Sequence, residues 1–75
     1  MEVLRKRSVT GRIYRIMDDL PSHGHYYCIE YAKSFNDEHE IIYGWYPLFE
    51  PTNKCFSNWD EVKALFDKTL KEDEQ

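Results

Sequence analysis

The sequence predicts an α+β domain, an antiparallel sheet of three or four strands with one C-terminal helix packed on one face. Three observations carry this. Segments between residues 11 and 49 alternate apolar and polar side chains, short turn-forming clusters separate them, and from Ser57 onward the apolar spacing becomes helical. Seventy-five residues suffice for one domain, and a chain this short buries only about 60% of the surface exposed when unfolded. The core is therefore expected to be thin, formed over residues 1–71, with 72–75 a frayed acidic tail.

The first segment, VLRKRSVT, reads as an additional strand joined to the next through a bend or bulge at Gly11. GRIYRIMDD follows as a strand with Ile13, Arg15 and Met17 on one face and Tyr14 and Ile16 on the other. LPSHGH supplies Pro21, Ser22 and Gly24, a turn. HYYCIEYAKSF alternates most regularly, with Tyr27, Ile29, Tyr31 and Phe35 on one side and Tyr26, Cys28, Glu30 and Ala32 on the other. NDEH reads as a hairpin loop, because Asn36 and Asp37 can bond back to their own backbone.

EIIYGWYPLF is the third full strand, expected to stop at Pro47, which has no amide to donate, and EPTNK is a loop. In SNWDEVKALFDKTLK, Ser57 or Asn58 can cap the helix, Asp60 and Glu61 suit its N-terminal dipole, and Lys68 and Lys71 suit its C-terminal end. Trp59, Val62, Leu65, Phe66, Thr69 and Leu70 recur on one stripe. The predicted core is Ile13, Ile29, Tyr31, Ile41, Trp59, Val62, Leu65, Phe66 and Leu70, or the adjacent residues if a strand slips by one.

A composition of 41% hydrophobic and 32% charged residues reads as globular and soluble. No apolar run approaches the ~18 residues of a membrane span, and MEVLRKRSVT lacks the apolar stretch of a secretory leader. A cytoplasmic protein is the expectation. Cys28 and Cys55 are too few for a disulfide-stapled scaffold, so both are expected as free thiols.

The chemistry-bearing stretch is SHGHYYC. His23 and His25 flank Gly24 with Cys28 three residues on, but the spacing is unlike paired zinc-ligand knuckles, and in a strand Cys28 points away from His25. A small zinc module is the second alternative to the main reading; no cofactor or metal is expected. Asp18 and Asp19 are adjacent and diverge in extended backbone, which suits a solvated strand end. No phosphate loop, dinucleotide fingerprint or hydrolase motif is present, and an enzyme is not expected.

Aromatic content is the anomaly. Twelve of the residues are Phe, Tyr or Trp, and one sheet-plus-helix core houses about half of such a set. Tyr14, Tyr26, Tyr46 and Phe49 are expected at the surface, with Tyr43 and Trp45 as further candidates. Rings with a polar handle concentrate at protein interfaces. Asp18, Asp19, Glu38 and Glu40, with the other carboxylates behind the net charge of −4, form a negative surround that suits a basic groove. Against this, Arg5, Lys6, Arg7, Arg12 and Arg15 cluster near the start, and beside exposed tyrosines they would suit single-stranded nucleic acid.

In size, acidity and aromatic density the chain is similar to small phage-encoded inhibitors, anti-CRISPR proteins among them. That resemblance implies a blocker of a nucleic-acid-handling machine working in the host cytoplasm. The expected function is thus a non-enzymatic protein-binding module that regulates a larger protein or ribonucleoprotein complex. Single-stranded nucleic-acid binding is the alternative. An open strand edge makes a homodimer conceivable beside a monomer.

Overall fold

The alternation becomes a meander in the computed structural model, which describes residues 1–36, 41–49 and 55–73. The elements are β1 (Glu2–Arg7), β2 (Ile13–Asp18), β3 (Tyr27–Asn36), β4 (Ile41–Pro47), β5 (Cys55–Phe56) and α1 (Trp59–Glu72). The strands lie antiparallel in the order β1-β2-β3-β4, with β5 also on β3. The expected α+β architecture is therefore what forms. No helix among the described residues is long and apolar enough to cross a membrane.

Gly11 makes the first hairpin. The Ser8 amide donates to Arg12 O at 2.8 Å and the Gly11 amide to Ser8 O at 3.0 Å, which leaves Gly11 at φ +93. A side chain resists that backbone, and glycine adopts it freely. The bend anticipated at Gly11 is thus a three-residue loop that folds β1 back on β2. Lys6 then faces Tyr14 and Leu4 faces Ile16, with an irregularity between Glu2 and Leu4.

β3 is flanked on one side by β2 and on the other by two strands in succession. β4 pairs with Glu30–Asn36, the Leu48 amide donates to Ile29 O at 3.0 Å, and β5 takes up the edge again opposite Cys28 and Tyr27. The β3–β4 register shifts twice, between Ala32 and Ser34 and between Ser34 and Phe35. β4 ends at Pro47, as its missing amide requires. Of the expected NDEH hairpin, Asn36 is instead the last residue of β3, paired with Ile41, while residues 37–39 and the EPTNK loop at 50–54 lie outside the described residues.

β5 corrects the cysteine expectation. Cys28 and Cys55 are directly opposed, 4.6 Å apart at Cα, and form a disulfide rather than two free thiols. Opposed positions on antiparallel strands bring two Cβ atoms within bridging distance. A two-residue strand leaves no alternation to read, so the sequence hid the opposition that makes the bond.

The core lies between α1 and the face carrying Tyr14, Ile16, Tyr27, Ile29 and Phe56, with Val62 and Phe66 inserted from the helix. Each such side chain contributes about 1.5–3 kcal/mol on burial. Leu4, Tyr31, Leu48, Phe49, Trp59, Leu65 and Leu70 pack around it. Ile13, expected on the helix side, is buried on the opposite face, because Tyr14 and Ile16 are the pair turned toward α1. Ile41 contributes backbone pairing to Asn36.

Asn58 is the helix cap, its Oδ1 accepting from the Glu61 amide at 2.9 Å. At the other end, Glu72 and Asp73, expected in a frayed tail, are ordered into the helix and its cap, and residues 74–75 lie outside the described residues. Glu72 is helical, and Asp73 Oδ2 accepts from Ser8 Oγ at 2.6 Å and Thr10 Oγ1 at 2.7 Å. These bonds, the Ser8 one foremost, hold the Asp73 carboxyl below its ordinary range against the opposing pull of burial.

Candidate interaction surface

The most constructed part of the surface is the β2–β3 turn, residues 19–26, and Asp18 builds it. Its Oδ1 accepts from the amides of Leu20 and Tyr26, each at 3.0 Å, while Oδ2 lies 2.7 Å from His25 Nδ1. The backbone adds Asp19 N to Tyr26 O at 3.1 Å and His25 N to Leu20 O at 2.9 Å. Asp18 therefore ties both ends of the turn to one carboxylate, as aspartate does in turns that fold onto their own side chain.

The side chain of Asp18 is 3% exposed and that of His25 47%. Burial pushes the Asp18 carboxyl up, but hydrogen bonds from the Tyr26 amide, the His25 ring and the Leu20 amide outweigh it, and the net position is below the ordinary value. His25 sits at φ +66, where histidine is among the few non-glycine residues found. Its ring is held there from two sides, by Asp18 and by stacking on Tyr27 at 5.3 Å and 9°. Tyr27 meets Trp59 edge-on at 5.4 Å, which connects the turn to the start of α1.

This lock raises an apolar knuckle. Leu20 is 45% exposed and Tyr26 47%; Met1, also exposed, has its carbonyl accepting from the Asp18 amide at 2.8 Å where the turn begins. Exposed Asp19 adds a negative charge. A loop fixed by a rigid scaffold is a common place for recognition residues.

The lowered Asp18 carboxyl fixes a pH dependence. Its folded pKa lies below the unfolded value, so its contribution is complete above about pH 4 and is lost as pH falls through the folded value. Asp18→Asn is expected to lower the urea midpoint at neutral pH and to flatten its fall between about pH 4 and pH 2. Asp73 and Glu2, also lowered, keep a residual slope. An acid limb superimposable on that of the parent would show that the Asp18 charge contributes nothing.

On the face of the sheet away from α1, Arg15 lies over the Trp45 ring at 4.0 Å and Arg5 at 5.1 Å. Arg5 reaches Glu2 at 2.7 Å, and Arg15 reaches Glu30 at 2.8 Å and Glu2 at 3.4 Å. Arg5 and Arg15, both candidates for nucleic acid, are thus paired inside the domain, and Trp45 serves as their stacking surface. Arg12 lies 5.9 Å from the Tyr31 ring and 4.0 Å from Asp73. Lys6 and Arg7 lie on the edge strand, Arg7 donating to Gly11 O at 3.1 Å.

The aromatic candidates do not form one surface. Tyr14, expected outside, is 3% exposed because β2 turns it toward the helix, and Phe49 packs against the core margin. Tyr46 is exposed but lies beside Tyr31, far along the sheet from the turn. Tyr43 lies on β4, its side chain outside the described residues, as are Glu38 and Glu40 entirely. Tyr26 and Asp19 are the pair that the structure brings together at the surface.

Asp18, read as a solvated strand end, is instead the buried anchor. Asp followed by a Pro-Gly turn was the available signal for it. Leu20 was missed because a single leucine beside a proline carries no period. His23 is exposed, His25 is turned to Asp18, and Cys28 is consumed in the disulfide; no cluster of three or more potential metal ligands occurs among the described residues. Compared with family models, curated proteins and solved structures, the chain matches none.

Proposed function

We propose that the chain is a non-enzymatic protein-recognition module that presents the β2–β3 knuckle to a larger partner. The observation behind this reading is the contrast at the turn: Leu20 and Tyr26 are held outward by backbone bonds to a buried carboxylate. Exposing apolar side chains on a backbone fixed in advance reduces the ordering lost on binding. Tyrosine is among the residue types that dominate interface energetics.

The narrower version, a regulator of a nucleic-acid-handling complex of the phage anti-defence kind, is supported by size and by the net charge of −4. The cytoplasmic expectation rested on the lack of an apolar span or leader-like stretch, and the free-thiol expectation went with it. The Cys28–Cys55 bond supports an oxidising setting instead, so the general reading has more behind it than the narrow one.

The test is a matched pull-down with the parent and a Leu20→Ser/Tyr26→Ser double variant, each with and without nuclease. Loss of more than about 2 kcal/mol of affinity for a defined protein, as for a binding hot spot, is the expected result. Equal capture by both proteins would remove the knuckle from the account. Capture that vanishes with nuclease would replace the protein partner with nucleic acid.

A further inference from the structure

The Cys28–Cys55 bond lies directly behind the knuckle. Asp19 Oδ2 and Tyr26 O, from the two ends of the turn, are each 4.0 Å from Cys28 Sγ. One residue back along β3, Tyr27 pairs with Phe56 of β5, stacks its ring on that of His25 and meets Trp59 edge-on. The turn is therefore backed by Cys28 on one face of the sheet and by Tyr27 on the other, and β5 is joined to both residues.

The two sulfurs differ in access. Cys28 is 2% exposed, whereas Cys55 is half-buried. Thiol–disulfide exchange begins when a thiolate attacks one sulfur, and access helps decide which. The Asp19 carboxylate beside Cys28 Sγ opposes the approach of an anion there, so burial and charge both direct the attack to Cys55.

We propose that Cys28–Cys55 is an exchange site for an external dithiol, with Cys55 the sulfur attacked, and that reduction there loosens the knuckle. The incoming thiolate bonds to Cys55 Sγ as the Cys28–Cys55 bond breaks, and Cys28 leaves as a thiolate that takes up a proton. The second thiol of the reagent, as its thiolate, then displaces Cys55, which is protonated in turn. Two electrons and two protons pass to the chain, and the dithiol departs as a disulfide. The freed Cys28 thiol has Tyr26 O and Asp19 Oδ2 beside it as acceptors.

While the bond is intact, β5 cannot separate from β3. Once it is open, noncovalent contacts alone hold the strand, two ladder pairs and Phe56 in the core among them, and local opening becomes available. Each opening withdraws Phe56 from Tyr27 and weakens the support under the His25 ring. The regulatory meaning rests on the knuckle being the recognition surface: the oxidised chain presents Leu20 and Tyr26 on a fixed backbone, and the reduced chain must order that backbone on binding.

The probes are dithiothreitol for reduction and glutathione for trapping, read on the full chain by amide hydrogen exchange and by peptide mapping. Reduction should speed exchange of the Leu20, His25 and Tyr26 amides, all bonded within the turn, by at least about tenfold more than that of the Ser8 amide in the first hairpin. The helical circular dichroism should persist, and the glutathione adduct should map to Cys55. A Cys28→Ala/Cys55→Ala variant should show the reduced pattern and no response to dithiothreitol.

Unchanged exchange after complete reduction overturns the proposal. So does equal acceleration at Ser8 and the knuckle, or loss of the helical signal, because the bond would then be a staple of the whole fold. An adduct chiefly on Cys28 would overturn the assignment of the attacked sulfur. Exchange is read in the free chain, so its outcome is separate from that of the Leu20→Ser/Tyr26→Ser pull-down: a knuckle that loosens on reduction but captures no partner would leave the exchange site standing and remove only the recognition reading.

Discussion

Reducing the Cys28–Cys55 bond is expected to remove most of the stability of the domain. The bond joins residues 27 apart in sequence. In the chain-entropy view a loop of that size stabilises the folded state by roughly 3–4 kcal/mol. A core in a domain of this size supplies about 3–5 kcal/mol, so the two contributions are comparable. β5 has two ladder pairs with β3 and Phe56 in the core, and the bond closes the strand onto Cys28 beside them.

Urea unfolding with and without a thiol reductant measures this. The midpoint should fall by roughly half or more under reduction, and a Cys28→Ala/Cys55→Ala variant should unfold where the reduced parent does, with no further response to reductant. Cys28 is buried, so reduction should also be slow until β5 opens locally. Identical curves in both conditions, with two titratable thiols in the native protein, would show that the bond does not form.

Phe66→Ala is expected to destabilise by about 3–5 kcal/mol, the range for truncating a fully buried phenylalanine. The magnitude has a particular cause here. Val62 and Phe66 are the residues of α1 that are completely enclosed, and Phe66 is the larger, so its ring fixes the helix to Tyr14, Ile16 and Ile29. Phe66→Leu should retain much of the stability, since it leaves a smaller cavity, and Leu65→Ala at the half-buried margin should cost less than Phe66→Ala. A loss below about 1 kcal/mol for Phe66→Ala would mean that α1 is not held by that face.

The legible part of the fold was whatever repeats. Helical spacing from Trp59 to Leu70 located α1, and Asn58 was one of two caps named for it. Alternation located β2, β3 and β4, and Pro47 marked the end of β4. Which face of β2 met the helix was not legible, because Ile13 and Met17 are as apolar as Tyr14 and Ile16, and only the packing of α1 distinguishes them.

The site was less legible for the same physical reason. Tyr26 was selected by residue type, and its exposure came out as expected. Its importance derives from Asp18, whose three bonds depend on how the turn closes in space. The disulfide was hidden because it needs β5, and the Asp73 clasp because it joins Ser8 and Thr10 across 65 and 63 residues. Pairings over such separations leave no local pattern.

The two register shifts in β4 bear on how far strand addition can propagate. A shifted ladder bends its strand and increases its twist, and the β4 edge also ends in a proline without an amide. β1 presents a continuous run from Leu4 to Arg7, whereas the opposite side of the sheet is interrupted where β4 gives way to β5. Polymer growth through a sheet requires two compatible edges, one to receive a strand and one to offer the next. One continuous edge opposite a broken one does not supply that compatible pair, so the sheet is built against end-to-end growth into a fibre.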